Sequence, residues 1–225
     1  MAFPEPQLRS HAVEDYAKAI YSLETSSSQP VSTTALAERL GVTPGSVSAM
    51  LKKLAELELV THQPYHGVRL TPNGRRVALE VIRHHRLLEL FLSEVLDMPW
   101  DRVHEEAEVL EHVLSTELEE VIAAKLGNPT HDPHGDPIPS ADFRIDEQTT
   151  LPLSDLHAGD AGVFVRISDS DPEMLRYLAE RGIAIGARCV VTGRQPFDGP
   201  LTVRFGEVEH VLGGKLAEAM RVELD

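Results

Sequence analysis

Residues 32–71 read STTALAERLGVTPGSVSAMLKKLAELELVTHQPYHGVRLT, and their punctuation predicts two short helices and a hairpin. Ser32 or Thr33 supplies a side-chain oxygen for the free N–H groups that open the first helix. Gly41 ends it, as a residue type suited to the left-handed position after a helix. Thr43 caps the second helix, and Pro44 sits in its first turn, where a missing N–H costs nothing. Over 44–57, Val47, Met50, Leu51 and Leu54 recur at helical spacing and face inward. Two short helices joined by a Gly-containing turn form a helix-turn-helix. Residues 58–62 and 67–71 then read as two strands around QPYH, and Thr71-Pro72 opens a further helix. A helix-turn-helix followed directly by a hairpin is a winged helix.

Upstream, residues 12–25 place Ala12, Tyr16, Ile20 and Leu23 at helical spacing before SSSQP breaks the pattern. Downstream, 72–97 is a long leucine-rich helix ended by Met98-Pro99. Asp101 caps a second long helix, 102–126, closed by Gly127-Asn128-Pro129. Two adjacent amphipathic helices with wide apolar faces exceed what one winged helix covers, which predicts a dimer interface. Residues 128–157 are rich in Pro, Asp and Gly and read as a linker or ordered loop. Short strands follow at 162–167, 188–192, 201–205 and 208–212, with one helix at 172–181, which predicts a small β-barrel.

The 225 residues carry a formal net charge of −15, which looks wrong for a nucleic-acid binder until it is divided along the chain. Residues 81–160 hold 5 Lys+Arg against 18 Asp+Glu, whereas 32–79 hold 6 against 3. The front is compatible with DNA and the middle with cations. The single cysteine, Cys189, excludes an internal disulfide and a thiolate zinc site, and fits a reducing compartment. The start, MAFPEPQLRSHAVED, lacks the apolar core of a signal peptide, and no later stretch reaches the roughly 18 apolar residues of a membrane span. A cytoplasmic chain without a membrane partner is expected.

The acidic middle contains His104-Glu105-Glu106-Ala107-Glu108-Val109-Leu110-Glu111-His112. Residues three and four apart share a helix face, so His104, Glu108, Glu111 and His112 are expected to point the same way. Like charges at that spacing destabilise a bare helix, and a cation is their natural partner. The preceding helix offers His85 and Glu89 at i, i+4. Two such sets on consecutive, packed helices point to metal. His131, Asp132, His134 and Asp136 offer further donors, but a proline-interrupted loop is a poor frame for a site. Trp100 is expected in the core or an interface, and Cys189 in a buried strand.

The arrays His85-Arg86-Leu87-Leu88-Glu89 and His104 to His112 resemble the metal-binding signature of the diphtheria toxin repressor family. So do Glu14-Asp15-Tyr16, the winged helix, and Asp136-Pro137-Ile138-Pro139. The resemblance covers essentially the whole chain. It implies a homodimeric, metal-dependent repressor of mainly α class with a small β domain. Its parts would be a winged helix-turn-helix DNA-binding domain (1–73), a helical dimerisation and metal-binding domain (74–140), a linker (141–157) and an SH3-like barrel (158–225). Carried over by position, it implies a primary metal site of Asp15, Glu108, Glu111 and His112. It also implies an ancillary site of His85, Glu89 and His104 completed by Asp171, with Asp169 or Glu173 as alternatives.

The resemblance also bears on the metal. Iron-responsive members place methionine and cysteine where this chain has Asp15 and Glu108, and carboxylates with imidazole suit Mn2+ better than sulfur donors do. Fe2+ is the alternative. Some manganese regulators carry a further glutamate one turn after the aspartate. Here that position is Lys18, which cannot ligate and argues against a closely spaced binuclear site.

For double-stranded operator DNA, the second short helix offers Thr43, Ser46, Ser48, Ala49, Lys52 and Lys53. The wing offers Tyr65, His66 and Arg69, and Arg75 and Arg76 follow it. None makes a bidentate arginine–guanine contact from the helix, so shape and van der Waals contact are expected to carry specificity. Three other readings compete: an iron(II) repressor, a di-metal carboxylate enzyme built from the same Glu/His sets, and a winged-helix sensor of an organic ligand.

Overall fold

The computed structural model describes residues 10–27, 29–63, 66–146, 148–167, 171–197 and 199–225. These fall into two units. One is drawn from Met1–His84, Glu111–Val113 and Pro139–Arg144, the other from His85–Leu110, Leu114–Ile138 and Ile145–Asp225.

In the first unit, α1 (His11–Ser27), α2 (Thr33–Leu40) and α3 (Pro44–Glu56) precede β1 (Val60–Gln63), β2 (Gly67–Leu70) and the start of α4 (Pro72–Leu96). Ser32 Oγ accepts from the Ala35 N–H at 3.1 Å, and Gly41 leaves α2 at φ 64°. Thr43 Oγ1 accepts from the Ser46 N–H at 3.2 Å to start α3. β1 and β2 pair antiparallel from Val60↔Leu70 to Gln63↔Gly67, and Val31 adds a bridge to Val68. Ile20, Leu36, Val47, Leu51, Leu54 and Val68 form the fully buried centre, with Met50 partly buried at its margin.

Thr71 joins the wing to α4: its Oγ1 donates to the Glu58 carbonyl (2.7 Å) and accepts from the Gly74 N–H (3.1 Å). Only glycine fits at 74, because a Cβ there would lie 1.9 Å from the Leu59 carbonyl oxygen. Glu24, near the end of α1, accepts from the Leu70 N–H at 3.1 Å and so fastens α1 to the wing.

The second unit contains α5 (Val103–Leu110), α6 (Thr116–Lys125), β3 (Leu151–Pro152), β4 (Ala161–Ile167), α7 (Pro172–Glu180), β5 (Arg188–Arg194), β6 (Leu201–Phe205), β7 (Val208–Leu212), α8 (Gly214–Ala219) and β8 (Met220–Leu224). The single long helix expected over 102–126 is two helices. Ser115, in an extended conformation, accepts from the Leu118 N–H at 3.2 Å and starts α6 afresh. Leu87, Leu88, Leu90, Ala107, Ile122, Ala123 and Ile138 pack a helical core.

The strands form one antiparallel sheet in the order β3-β8-β4-β5-β6-β7, around Phe164, Leu178, Val191, Val203, Met220 and Val222. Cys189 is buried in it. No pairing among the described residues closes the sheet into the expected barrel: its two edges, β3 and β7, are not paired to each other. The expected loop after Gly127 is held locally. Ile138 N–H donates to the Thr130 carbonyl (2.8 Å), and Ile167 N–H of β4 donates to the His134 carbonyl (2.9 Å). Gly135, at φ 83°, lies so close to β4 that a Cβ would stand 1.9 Å from the Val165 carbonyl oxygen. No helix among the described residues is long and apolar enough to cross a membrane.

Candidate metal centre

The break after α5 divides the candidate ligands. Residues 111–113 leave the helix as a turn, and His84 Nδ1 donates to the Glu111 carbonyl at 3.0 Å. Glu111 and His112 therefore do not continue the face that carries His104 and Glu108. They belong with α1 in the first unit.

There, Asp15 Oδ1 lies 2.9 Å from His112 Nε2, and Glu14 Oε2 lies 2.7 Å from Nδ1. Glu111 Oε1 stands 3.5 Å from the same Nε2. Ligand atoms of Asp15, Glu111 and His112 all fall within 4.8 Å of one another. Lys18 Nζ donates to both Glu111 carboxylate oxygens, at 2.9 and 2.8 Å. Hydrogen bonds to Asp15 and Glu14, with the Glu111 charge nearby, outweigh burial and raise His112 to about 10. The side chain is thus an imidazolium between two carboxylates.

The second group lies on α4 and α5. Glu89 Oε1 lies 3.0 Å from both His85 Nε2 and His104 Nδ1, and those nitrogens are 3.0 Å apart. Glu108 Oε1 is 3.8 Å from His104 Nε2, and His85, His104 and Glu108 form a convergent set. Burial opposes the charge on Glu89, which is 2% exposed. Hydrogen bonds from His104, His134 and His85 nonetheless hold its carboxyl well below the usual range. Glu108, assigned by position to the set of Asp15, stands beside His104.

A third group includes two residues discounted in the sequence. Asp132 and His134 reach Glu89, and all three side chains are buried with ligand atoms within 4.8 Å of one another. The loop frames them well despite its prolines. Asp132 Oδ1 accepts from the N–H groups of His134 (2.8 Å) and Asp136 (2.9 Å). His134 Nε2 donates to the Trp100 carbonyl at 2.8 Å, which turns Nδ1 towards Glu89 Oε2 at 3.7 Å. Burial, with Asp136 and Glu89 close by, pushes Asp132 up to about 8. His134 rises to about 9: burial opposes its charge, but Glu89 and Asp132 outweigh it. The sequence signal was the D-x-H spacing across a tight Gly135 turn. What it lacked was any local sign that the turn meets Glu89.

Asp171 caps α7, accepting from the Glu173 N–H at 2.8 Å, and belongs to none of the three convergent sets among the described residues. Its alternative, Asp169, lies outside the described residues. Of the DNA candidates, Thr43, Ser46, Ser48, Ala49, Lys52, Lys53 and Arg69 are all exposed, and Tyr65 lies outside the described residues. Arg75 and Arg76 are exposed as well, with their guanidinium groups over the Tyr21 and Phe143 rings. Val109, Leu118 and Val121 on α5 and α6 are large apolar side chains 69%, 49% and 60% exposed.

Residues 10–68 match the model for "Iron dependent repressor, N-terminal DNA binding domain". Residues 71–140 match "Iron dependent repressor, metal binding and dimerisation domain", and 151–224 match the FeoA domain. The iron-dependent repressor IdeR of Mycobacterium bovis is 31% identical over 222 residues, covering 93% of this chain and 96% of that protein. The diphtheria toxin repressor of Corynebacterium efficiens is 32% identical over 221 residues, covering 93% and 94%. A solved manganese-dependent transcriptional repressor in complex with manganese superposes with a TM-score of 0.86 at 45% identity, covering 93% of this chain and 98% of that one.

Proposed function

Because the chain belongs to the iron-dependent repressor family, that of the diphtheria toxin repressor, we propose that it is a manganese(II)-activated repressor. It would bind operator DNA as a homodimer and control metal-homeostasis genes. The family consists of transcriptional repressors, not enzymes, which sets aside the di-metal carboxylate enzyme. A DNA-binding domain and a dimerisation domain together indicate DNA and a second copy as partners.

The observation that carries this reading is the convergence of Asp15, Glu111 and His112. The donors are carboxylate oxygen and imidazole nitrogen, without sulfur, and such sets suit manganese. A bound divalent ion supplies a compact double positive charge that these carboxylates share. Glu14 accepts at Nδ1 of His112 (2.7 Å) and so leaves Nε2 as the ligating nitrogen. Asp15 rides on α1, and α1 is fastened to the wing through Glu24. A ligand to Asp15 thus acts on a helix of the reading head itself. A second ion fits the buried Glu89 with Asp132 and His134, or with His85 and His104. The exposed Thr43, Ser46, Ser48, Ala49, Lys52, Lys53 and Arg69 face operator DNA, with specificity drawn from shape.

Iron(II) is the second reading, favoured by the iron-dependent relatives at 31% identity. Operator mobility shifts at fixed salt, with Mn2+, anaerobic Fe2+ and a chelator, decide between them. Manganese is expected to give binding at the lower concentration, and chelation to abolish it. Stronger activation by Fe2+ selects the second reading. Binding indifferent to chelation would instead select a sensor of an organic ligand.

A further inference from the structure

We infer that Lys18 is a built-in competitor for the metal: its ammonium and the ion draw on the same carboxylate, Glu111, so Lys18 sets the metal concentration at which the first group fills. The inference rests on the metal reading of Asp15, Glu111 and His112. Lys18 lies one turn beyond Asp15 on α1, and the i, i+3 spacing puts both on one face. Its Nζ donates to Oε1 and Oε2 of Glu111 at 2.9 and 2.8 Å. Oε1 is also the oxygen 3.5 Å from His112 Nε2, the nitrogen on which Asp15 converges at 2.9 Å. An ion held by Asp15, Glu111 and His112 therefore needs an oxygen that Lys18 already uses, and the two cations repel across it.

The side chains are built for such an exchange. That of Glu111 is 0% exposed and that of Lys18 is 22% exposed. The ion pair with Lys18 offsets part of the cost of burying the Glu111 carboxylate, so Lys18 stabilises the fold whenever it holds Glu111. Its flexible stem, open to solvent on one side, lets it withdraw when a divalent ion takes its place, which the rigid fork of an arginine would resist.

The test is Mn2+ affinity, read by competition with a fluorescent chelator, for the full chain and for Lys18→Met, Lys18→Gln and Glu111→Gln. Glu111→Gln separates the first group from the others. Both Lys18 variants are expected to bind Mn2+ at the first group about tenfold more tightly at unchanged stoichiometry. Their melting temperatures are expected to fall without metal and to approach wild type at saturating Mn2+. Two substitutions of different polarity guard against a folding defect in either one. If Glu111→Gln abolishes first-group binding while both Lys18 variants bind no more tightly than wild type, Lys18 is not a competitor and the metal reading stands. If Glu111→Gln leaves Mn2+ binding unchanged, the metal reading and the inference fall together.

Discussion

His112 is held at Nδ1 by Glu14 and at Nε2 by Asp15, and in the proposed site its protonation would link stability to metal. Its pKa of about 10 lies above the value near 6.5 of a free imidazole. The folded chain therefore binds the proton more tightly than the unfolded chain does. The stabilisation is complete below about pH 6.5 and fades as pH climbs towards about 10. In chelator, the melting temperature is expected to drop across that interval, and in His112→Gln this part of the drop should be missing. An identical slope in both proteins would show that the imidazolium is not the group responsible. In the proposed site a metal at Nε2 would take the place of that proton, so Mn2+ binding near pH 7.5 is expected to release it, detected by calorimetry in two buffers of different ionisation heat. Glu14 touches only the imidazole in this scheme. Glu14→Ala is expected to weaken Mn2+ binding roughly 10- to 100-fold through a misoriented ring; unchanged affinity would remove Glu14 from the machinery.

At the scale of elements, legibility followed how local the cause was. Ser32, Gly41, Thr43 and Pro44 act within four residues of themselves, so the winged helix could be read from them and the structure has those caps. The stretch 102–126 reads as one helix because its apolar spacing continues through Val113 and Leu114. Only Ser115 signals the break, and its hydrogen bond to the Leu118 N–H competes with a continuous helix that the pattern also allows. Ser115→Ala is expected to cost about 1 kcal/mol, measurable by urea unfolding, and a neutral result would mean that the turn at 111–113 forms without the cap. The pairing of Glu89 with His134 depends on where the loop lands, through Gly135 against β4 and Ile167 on His134. No local pattern encodes that. Gly135→Ala, which must move the Val165 carbonyl or the loop, is expected to destabilise the chain and to weaken binding of a second ion while leaving the first group's affinity alone.

For the whole molecule, the charge distribution constrains how metal can act on DNA. A chain of net charge −15 stays strongly negative after taking up a pair of divalent ions, so neutralisation alone does not create a DNA binder. In the proposed reading attraction comes from exposed cations such as Lys52, Lys53 and Arg69, and a few cations on one copy make a weak, salt-sensitive contact. Two copies held at fixed spacing turn the second contact into an intramolecular event and raise affinity by orders of magnitude. The exposed Val109, Leu118 and Val121 of the dimerisation domain are the side chains that such an assembly would cover. Val109→Glu with Val121→Glu is therefore expected to yield a monomer by sedimentation and to weaken operator binding at least 100-fold. Its Mn2+ affinity at Asp15, Glu111 and His112, which one copy supplies alone, should match wild type. A monomer that still binds operator at full strength would show that spacing between copies is not what the metal controls. A dimer that survives both glutamates would move the interface to another face.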